Sequence, residues 1–234
     1  MEFRDRTVLI TGAAGNLGRA VAAAFAAAGA TLALFGHDER SLAAAYPGKD
    51  PKRLLLACDL RVPESVETAV RAAAVRFGRI DVLAHIAGGF AKGHPVHATP
   101  PDVWREMTEL NAGSLLGVAS AVVPHMIRAG SGKIITIGAM SALAGRADMG
   151  AYTASKSALM RLSEAMSGEL REQGINVNCI LPGIIDTPQN RAAMPKADPG
   201  RWVEPAAIAE VVLFLASERA RAIHGASIPV TGLA

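Results

Sequence analysis

The sequence TVLITGAAGNLG at residues 7–18 joins a run of buried-strand residues directly to a glycine-rich turn. A helix-length amphipathic segment, 17–28, follows the turn and ends before Gly29. A strand, a glycine turn and a helix N-terminus in this order form the usual setting for a dinucleotide phosphate, because backbone amides at the helix start face the anion. Gly12 permits the tight turn, and Gly18 permits close packing of the helix on the strand. A purely structural turn stays open as the alternative.

Composition and patterning extend this local motif to the whole chain. Half of the 234 residues are hydrophobic and only 4% are aromatic, so the core must consist mainly of Ala, Val, Leu and Ile. That composition suits a buried parallel sheet covered by alanine-rich helices. Strand-length apolar runs alternate with helix-length segments and no second composition is apparent, which predicts one α/β domain over 1–234. We expect a doubly wound parallel sheet of about seven strands with helices on both faces.

The apolar periodicity gives approximate bounds for these elements. Strands are expected at 7–10, 31–35, 53–57, 80–86, 133–137, 175–181 and 227–230, and helices at 17–28, 63–77, 102–128, 150–173 and 205–217. The stretch 184–203, rich in Pro, Asp and Arg, has the least regular pattern and is predicted to be a mobile substrate lid.

Charge and cysteine content argue against several classes of function. The net charge is +3 and the arginines are scattered, so nucleic-acid binding is not expected. Two cysteines, Cys58 and Cys179, are too few for a disulfide framework and fit a reducing compartment. No apolar signal segment or membrane-length run is apparent, so we expect a cytoplasmic protein. His94 and His97 lack further ligands at metal-binding spacing, and no metal is expected.

A second motif, YTASK at 152–156, points to proton transfer. Four residues are about one helical turn, so the phenol of Tyr152 and the ammonium of Lys156 project from the same face of a helix. The cation is expected to favour the phenolate and to lower the pKa of Tyr152 from about 10, toward a range useful for general acid/base catalysis. Taken alone this spacing is a weak signal, because chance pairs on solvated helices are common.

The pattern TGxxxNxG at 11–18, followed by YxxxK at 152–156, resembles the short-chain dehydrogenase/reductase family, and the likeness covers essentially the whole chain. The resemblance implies an NAD(P)-binding Rossmann domain that interconverts a carbonyl and an alcohol by hydride transfer. It implies that Tyr152 is the general acid/base, supported by Lys156. It also implies that Asn111 is the helix asparagine that helps to hold a water near the catalytic lysine.

The resemblance further implies a set of cofactor-binding positions. They are Gly12, Asn16, Leu17, Gly18, His37, Asp59, Leu60, Ala87, Gly88, Tyr152, Lys156, Pro182, Gly183, Ile185 and Thr187. Asp59 would contact the adenine ring, and Thr187 would hydrogen-bond the nicotinamide carboxamide. Asn16 stands where the family usually has a glycine, and asparagine tolerates left-handed backbone better than most residues. At 85–88 only Ala87 and Gly88 match the family, so no side-chain role is carried over to His85.

Residues 34–40, LFGHDER, bear on the choice of cofactor. NAD enzymes place a carboxylate here on the ribose 2′-hydroxyl, whereas NADP enzymes place a cation on the 2′-phosphate. The usual acidic position falls on Gly36, which leaves room and no repulsion. His37 stands where NADP-preferring relatives commonly carry arginine, Arg40 lies close behind, and Asp38 is interpreted as a helix N-cap. NADP(H) is therefore favoured, with NAD(H) open as the alternative.

At the position of the family's carbonyl-orienting serine this chain has Ala139, which offers no hydroxyl to an oxyanion. Ser141 is the nearest hydroxyl and would need a local rearrangement to substitute. Loss of one oxyanion donor typically costs about 10²–10³-fold in kcat. Two hypotheses follow: a reductase/dehydrogenase that uses Tyr152, or a nucleotide-binding protein of this fold that is catalytically weak or inactive and has a regulatory or partner-binding role.

The expected partner is a small carbonyl or alcohol substrate in a mostly apolar pocket. Candidate lining residues on the loops after the fourth and fifth strands and in 184–203 are Phe90, His94, Met140, Met149, Met194 and Trp202. The resemblance also implies a homo-oligomer, a tetramer or a dimer, formed through the long helices and the C-terminal strand.

Overall fold

The computed structural model describes residues 2–233, which form a parallel sheet with helices on both faces. The seven strands lie in the order β3-β2-β1-β4-β5-β6-β7, and each neighbouring pair is parallel. The strands are β1 (Thr7–Thr11), β2 (Thr31–Gly36), β3 (Arg53–Ala57), β4 (Val82–His85), β5 (Gly132–Ile137), β6 (Ile175–Pro182) and β7 (Ser227–Val230). The predicted doubly wound α/β fold is confirmed.

The helices cover both faces because side chains alternate along each buried strand. The helices are α1 (Asn16–Ala27), α2 (Glu39–Ala45), α3 (Pro63–Phe77), α4 (Pro101–Thr108), α5 (Ser114–Ala129), α6 (Gly150–Leu170), α7 (Pro188–Ala193) and α8 (Pro205–Ala216). On β1, Val8 and Ile10 pack with α1 and α8. Leu9 points to the opposite face and packs with α3 and α5.

The direction of winding reverses at β1. This strand pairs with β2 on one side and with β4 on the other, so the chain crosses from one half of the sheet to the other between β3 and β4. Ligands of doubly wound sheets bind in the crevice outside the carboxyl ends of the strands at such a reversal. Here the crevice lies between the turn after β1 and the loop after β4.

Three helical segments differ from the sequence prediction. Residues 39–45 form α2, where the sequence indicates only an N-cap at Asp38. The predicted helix 102–128 contains a π turn at Glu109–Gly113, where the amide of Ser114 bonds to the carbonyl of Glu109. The stretch 184–203, predicted to be irregular, contains the short helix α7. The π turn bears most on function, because such turns often occur at functional sites.

The segment 101–129, which comprises α4, the π turn and α5, has the length and apolar composition that a membrane crossing requires. Within its most apolar 18-residue window, 44% of the residues are buried inside this fold. Val118, Val122 and Met126 of α5 pack against the sheet. Core packing therefore accounts for part of the apolar character of this segment.

Candidate functional site

The turn after β1 requires its glycines. Gly12 has φ +63°, and a Cβ there would lie 3.0 Å from the backbone of Ala87. A Cβ on Gly18 would overlap the Gly12 carbonyl oxygen. The N-cap of α1, Gly15, makes no side-chain capping bond and the first turn carries no acidic residue, so its amides are free to receive an anion. The turn therefore has the form of a pyrophosphate site.

Asn16 occupies the first position of α1 and not a left-handed conformation, so the backbone tolerance expected of it is not needed. Its Nδ2 donates to Gln189 Oε1 at 2.8 Å, and its Oδ1 accepts from Arg19 Nη2 at 2.9 Å. Gln189 belongs to α7. The side chain that replaces the family's glycine therefore links the phosphate turn to the stretch 184–203.

Neither Gly36 nor Asp38, at and just after the end of β2, offers a free carboxylate to a ribose. A Cβ on Gly36 would lie 2.7 Å from Leu42 Cγ, so the room expected at this position is filled by the Leu42 side chain. Asp38 caps α2 as predicted: its Oδ1 accepts from Ser41 N at 2.8 Å and its Oδ2 from Ser41 Oγ at 2.7 Å. These bonds lower the pKa of Asp38, and its carboxylate is committed to the helix.

Asp59 is paired with Arg61, a partner that the sequence pattern does not reveal. Arg61 Nε donates to Oδ1 at 3.0 Å and Nη2 to Oδ2 at 2.9 Å. These bonds hold the pKa of Asp59 at about 2, with a smaller contribution from His37. His37 and Asp59 therefore lie at the same end of the crevice, where an adenine and its ribose would sit. The neighbouring Leu60 packs against the core.

Tyr152 and Lys156 project from the first turns of α6, and burial dominates the protonation of both. The Lys156 ammonium is buried, donates to the Ile137 carbonyl at 2.8 Å and has its pKa lowered to about 8 by desolvation. Desolvation raises the pKa of Tyr152 to about 12. The expected lowering of the Tyr152 pKa is therefore wrong for this structure. Within residues 2–233 the Tyr152 hydroxyl has no hydrogen-bond partner. The Tyr152 ring contacts the Phe90 ring edge-on, and the two ring centroids are 4.9 Å apart.

Asn111 lies in the π turn and connects the loop after β4 to α6. Its Oδ1 accepts from Gly89 N at 2.9 Å, and its Nδ2 donates to Ser155 Oγ at 3.0 Å. Ser155 Oγ in turn donates to the Tyr152 carbonyl at 2.8 Å. A Cβ on Gly88 would lie 2.8 Å from both Asn111 Oδ1 and Lys156 Nζ. The side chain of Asn111 thus positions the start of α6, and Ser155 is a member of the site that sequence reasoning missed.

His85 forms a buried network beneath this site. Ser114 Oγ donates to the Leu110 carbonyl at 2.6 Å, so it accepts from His85 Nε2 at 3.1 Å. Thr11 Oγ1 accepts from Ala87 N at 3.1 Å and donates to His85 Nδ1 at 3.1 Å. His85 is therefore a neutral imidazole with its proton on Nε2. Its burial, with a further contribution from the Lys156 charge, lowers its pKa to about 3.

The segments after β5 and β6 complete the edge of the site. Ala139 is buried in an apolar cluster with Ala142 and Cys179, and within residues 2–233 the Ser141 hydroxyl makes no hydrogen bond. Thr187 caps α7 by accepting from Asn190 N at 3.2 Å, which leaves its own proton free to donate.

The remaining predicted positions divide between this edge and the interior. Pro182 ends β6 and Gly183 packs against Thr231. The Ile185 carbonyl accepts from Asn190 Nδ2 at 2.8 Å. Trp202, predicted to line the pocket, is buried in the interior and is a packing residue.

Comparison with known proteins finds similar chains of nearly the same length. Residues 12–232 match the family described as enoyl-(acyl carrier protein) reductase. The chain is 31% identical to 3-oxoacyl-(acyl-carrier-protein) reductase FabG of Escherichia coli, over 99% of this chain and 98% of that protein.

Two solved structures have nearly the same fold. A short-chain type dehydrogenase/reductase from Mycobacterium ulcerans is 28% identical, with a TM-score of 0.92 over 100% of this chain and 90% of that one. An NAD+-bound xylitol dehydrogenase is 27% identical, with a TM-score of 0.91 over 99% of this chain and 100% of that one.

The buried imidazole predicts an acid-sensitive fold. The pKa of His85 is about 6.5 in the unfolded chain and about 3 in the folded chain. Between these values only the unfolded chain binds the proton, so the free energy of unfolding decreases as the pH falls. The contribution of His85 to the slope approaches about 1.4 kcal/mol per pH unit. His85→Asn should therefore show a shallower fall of the free energy of unfolding, measured by urea titrations from pH 7 to pH 4. Equal slopes in the two proteins would contradict the buried neutral assignment.

Proposed function

This chain belongs to the short-chain dehydrogenase/reductase family of oxidoreductases, which act on CH–OH and C=O groups, and we propose that it interconverts a carbonyl and an alcohol with Tyr152 as general acid/base. The observation that carries the proposal is the Tyr152 hydroxyl, unbonded to the described residues and one helical turn from the buried Lys156 ammonium. A group that must exchange a proton with substrate needs such a free hydroxyl.

The protonation state of Tyr152 suits carbonyl reduction. Tyr152 is a neutral phenol at pH 7, as a phenol with the ordinary pKa of about 10 is and as burial, which raises the pKa to about 12, reinforces, so it holds the proton that the product oxygen must receive. In reduction a hydride adds to the carbonyl carbon while the phenol proton passes to the oxygen, and oxidation reverses both transfers. A nicotinamide cofactor, when bound, supplies or accepts that hydride.

The crevice residues fit a nicotinamide dinucleotide. We assign the pyrophosphate to the amides of the turn that contains Gly12, Asn16, Leu17 and Gly18. Lys156 uses one N–H on Ile137, which leaves two N–H groups for ribose hydroxyls. Gly88 keeps open the space beside that ammonium, since a Cβ would fill it. We assign Asp59 and Leu60 to the adenine end of the cofactor, and Ala87 and Gly88 to its middle. The nicotinamide end is assigned to Pro182, Gly183, Ile185 and Thr187.

Substitution of Tyr152 by Phe tests the acid/base assignment. The variant keeps the ring contact with Phe90 and leaves no described partner unsatisfied, so it should fold normally. We expect turnover to fall by at least about 10²-fold, the usual contribution of a general acid/base, with cofactor affinity unchanged. The matched control is Tyr46→Phe, which removes the bond from Tyr46 Oη to the Ala13 carbonyl at 2.7 Å. That variant should keep turnover at saturating cofactor; full activity in Tyr152→Phe would make the assignment wrong.

We propose that NADP(H) is preferred over NAD(H). The support is that Gly36 has no room for a carboxylate and that Asp38 is committed to capping α2. His37 is exposed at this end of the crevice, near Asp38 and Asp59, and Arg19 is exposed beside Asn16 in the phosphate turn; neither forms an ion pair with a carboxylate of the described residues. The similar xylitol dehydrogenase structure is NAD+-bound, so the family fold itself does not decide the preference.

Titration of cofactor fluorescence should give an affinity for NADPH about 10- to 100-fold higher than for NADH, the range expected of one or more charge-assisted phosphate bonds. His37→Asp should weaken NADPH binding through like-charge repulsion and leave NADH binding less affected. Tighter binding of NADH by the unmodified protein would overturn the preference.

Ala139 supports a second candidate function, a nucleotide-binding protein with little catalysis. Its backbone is extended, with φ −162° and ψ 144°, a conformation that serine also adopts. Serine differs from alanine only by a hydroxyl on Cβ, so Ala139→Ser adds that one group at the position where the family carries a serine. The two functions differ in what that hydroxyl should do.

If the chain is a reductase that lacks one donor, Ala139→Ser should raise kcat by at least about tenfold, part of the 10²–10³-fold that such a donor provides. Ala142→Ser adds the same hydroxyl to another buried alanine of the same cluster and should not raise it. If the unmodified protein, Ala139→Ser and Ala142→Ser all bind the cofactor tightly and show no turnover, the nucleotide-binding function is favoured.

We further propose that the stretch 184–203 acts as a lid, tied to the phosphate turn through Asn16 and Gln189. A homo-oligomer is proposed through α4 and α5, which expose Trp104 and Leu116. A cytoplasmic location is proposed from the cysteine content alone.

A further inference from the structure

Four large apolar side chains are exposed on the loops that follow β4, β5 and β6. Phe90, Val96, Leu143 and Ile184 have exposed fractions of 61%, 77%, 57% and 37%. The carboxyl ends of neighbouring parallel strands meet at one edge of a sheet, so these loops surround the same entrance. We call these four residues the apolar rim. Apolar side chains exposed around a reactive group commonly belong to a ligand-binding site.

Two members of the apolar rim lie directly against the start of α6. The Phe90 ring meets the Tyr152 ring edge-on, with centroids 4.9 Å apart and planes at 74°. Val96 Cγ2 would lie 2.9 Å from a Cβ on Gly150, so Val96 packs over the first residue of α6. Gly93 N also donates to the Asp148 carbonyl at 2.8 Å, which fixes the loop after β4 to the residues before α6.

The other two members are held by hydrogen bonds on the neighbouring loops. Leu143 ends a 3₁₀ turn whose Ala142 carbonyl accepts from Ser157 Oγ at 2.6 Å. The Ile184 carbonyl accepts from Val203 N at 2.9 Å, which pairs the two ends of the lid stretch. The apolar rim is therefore part of an ordered surface.

The surroundings of the reacting phenol are mainly apolar, and the charged side chains nearby are paired or exposed. The pKa of Tyr152 is raised by desolvation, with no contribution from an ionised group. Asp186 in the lid is paired with Arg191, whose Nε and Nη2 donate at 2.6 and 2.7 Å. Lys92, Arg146 and Asp148 are exposed on the loops of the apolar rim, where water solvates them.

We propose that the apolar rim selects ketones and secondary alcohols whose non-reacting part is a saturated hydrocarbon, in preference to polyols. The inference rests on the proposed carbonyl–alcohol function and adds the substrate class. A hydrocarbon chain would displace water from the four exposed side chains, whereas a polyol would lose its own hydrogen bonds to water there.

The experiment is a series of 2-alkanones from 2-butanone to 2-octanone, with xylulose as the polyol comparison, assayed with NADPH and with NADH. We expect kcat/KM to rise about fourfold with each added methylene, the value that corresponds to about 0.8 kcal/mol per buried CH₂. Val96→Ala should reduce the advantage of 2-octanone over 2-butanone. Val75→Ala is the matched control, because Val75 is 81% exposed on α3, far along the chain from the apolar rim, and this variant should keep the wild-type series.

A flat series, or a preference for xylulose, would overturn the substrate class while the carbonyl–alcohol function stands. If none of these compounds is turned over, calorimetric binding decides the substrate class separately from the proposed function. In that measurement Tyr152→Phe protein saturated with NADP+ is titrated with the same alkanones. Affinity that grows with chain length supports the apolar rim, and affinity independent of chain length overturns it.

Discussion

The buried ammonium of Lys156 constrains the arrangement of the whole site. A cation without solvent needs acceptors, and the carbonyl of Ile137 at the end of β5 provides one at 2.8 Å. That bond ties α6 to the sheet and thereby fixes the height of Tyr152 above the strand ends. The same ammonium explains the glycine at Gly88, where a Cβ would lie 2.8 Å from Nζ. Burial removes water from the ammonium and lowers the pKa of Lys156 to about 8. This value is still above 7, so Lys156 keeps its charge at neutral pH.

The same charge acts on the polar network below it. A second buried cation at His85 would be repelled by Lys156, and His85 is held neutral with one proton on Nε2. In that form it joins Thr11, the residue before the glycine turn, to Ser114, the residue after the π turn. The phosphate turn and the asparagine of the π turn are thereby connected through the centre of the molecule. Coupling of this kind requires that every donor in the network finds an acceptor.

The fold was largely predictable because a parallel sheet buried on both faces leaves continuous apolar runs, and all seven strands follow from them. Helix α2 and the π turn could not be predicted from the sequence pattern. Helix α2 buries only Leu42, so it has almost no apolar stripe. The π turn at 109–113 is not visible in the sequence pattern of 102–128, because helical residues continue without a break on both sides of it. Spacing alone placed Tyr152 beside Lys156 but could not show how far burial, more than the neighbouring charge, would determine the pKa of the phenol.

The substitution at Ala139 and the apolar rim bear on the same property, the way in which a carbonyl would be oriented. With no hydroxyl at position 139, the substrate oxygen would meet the phenol proton of Tyr152 as its principal donor, and the rest of the substrate would be held by shape and hydrocarbon contact. A site that hydrogen-bonds a substrate group rejects analogues lacking it by about 10⁴–10⁵-fold, whereas each methylene buried on an apolar surface changes the binding free energy by only about 0.8 kcal/mol. A site built in this way would therefore accept a graded range of hydrocarbon ketones, since none of its contacts imposes a strict polar requirement beyond the reacting oxygen.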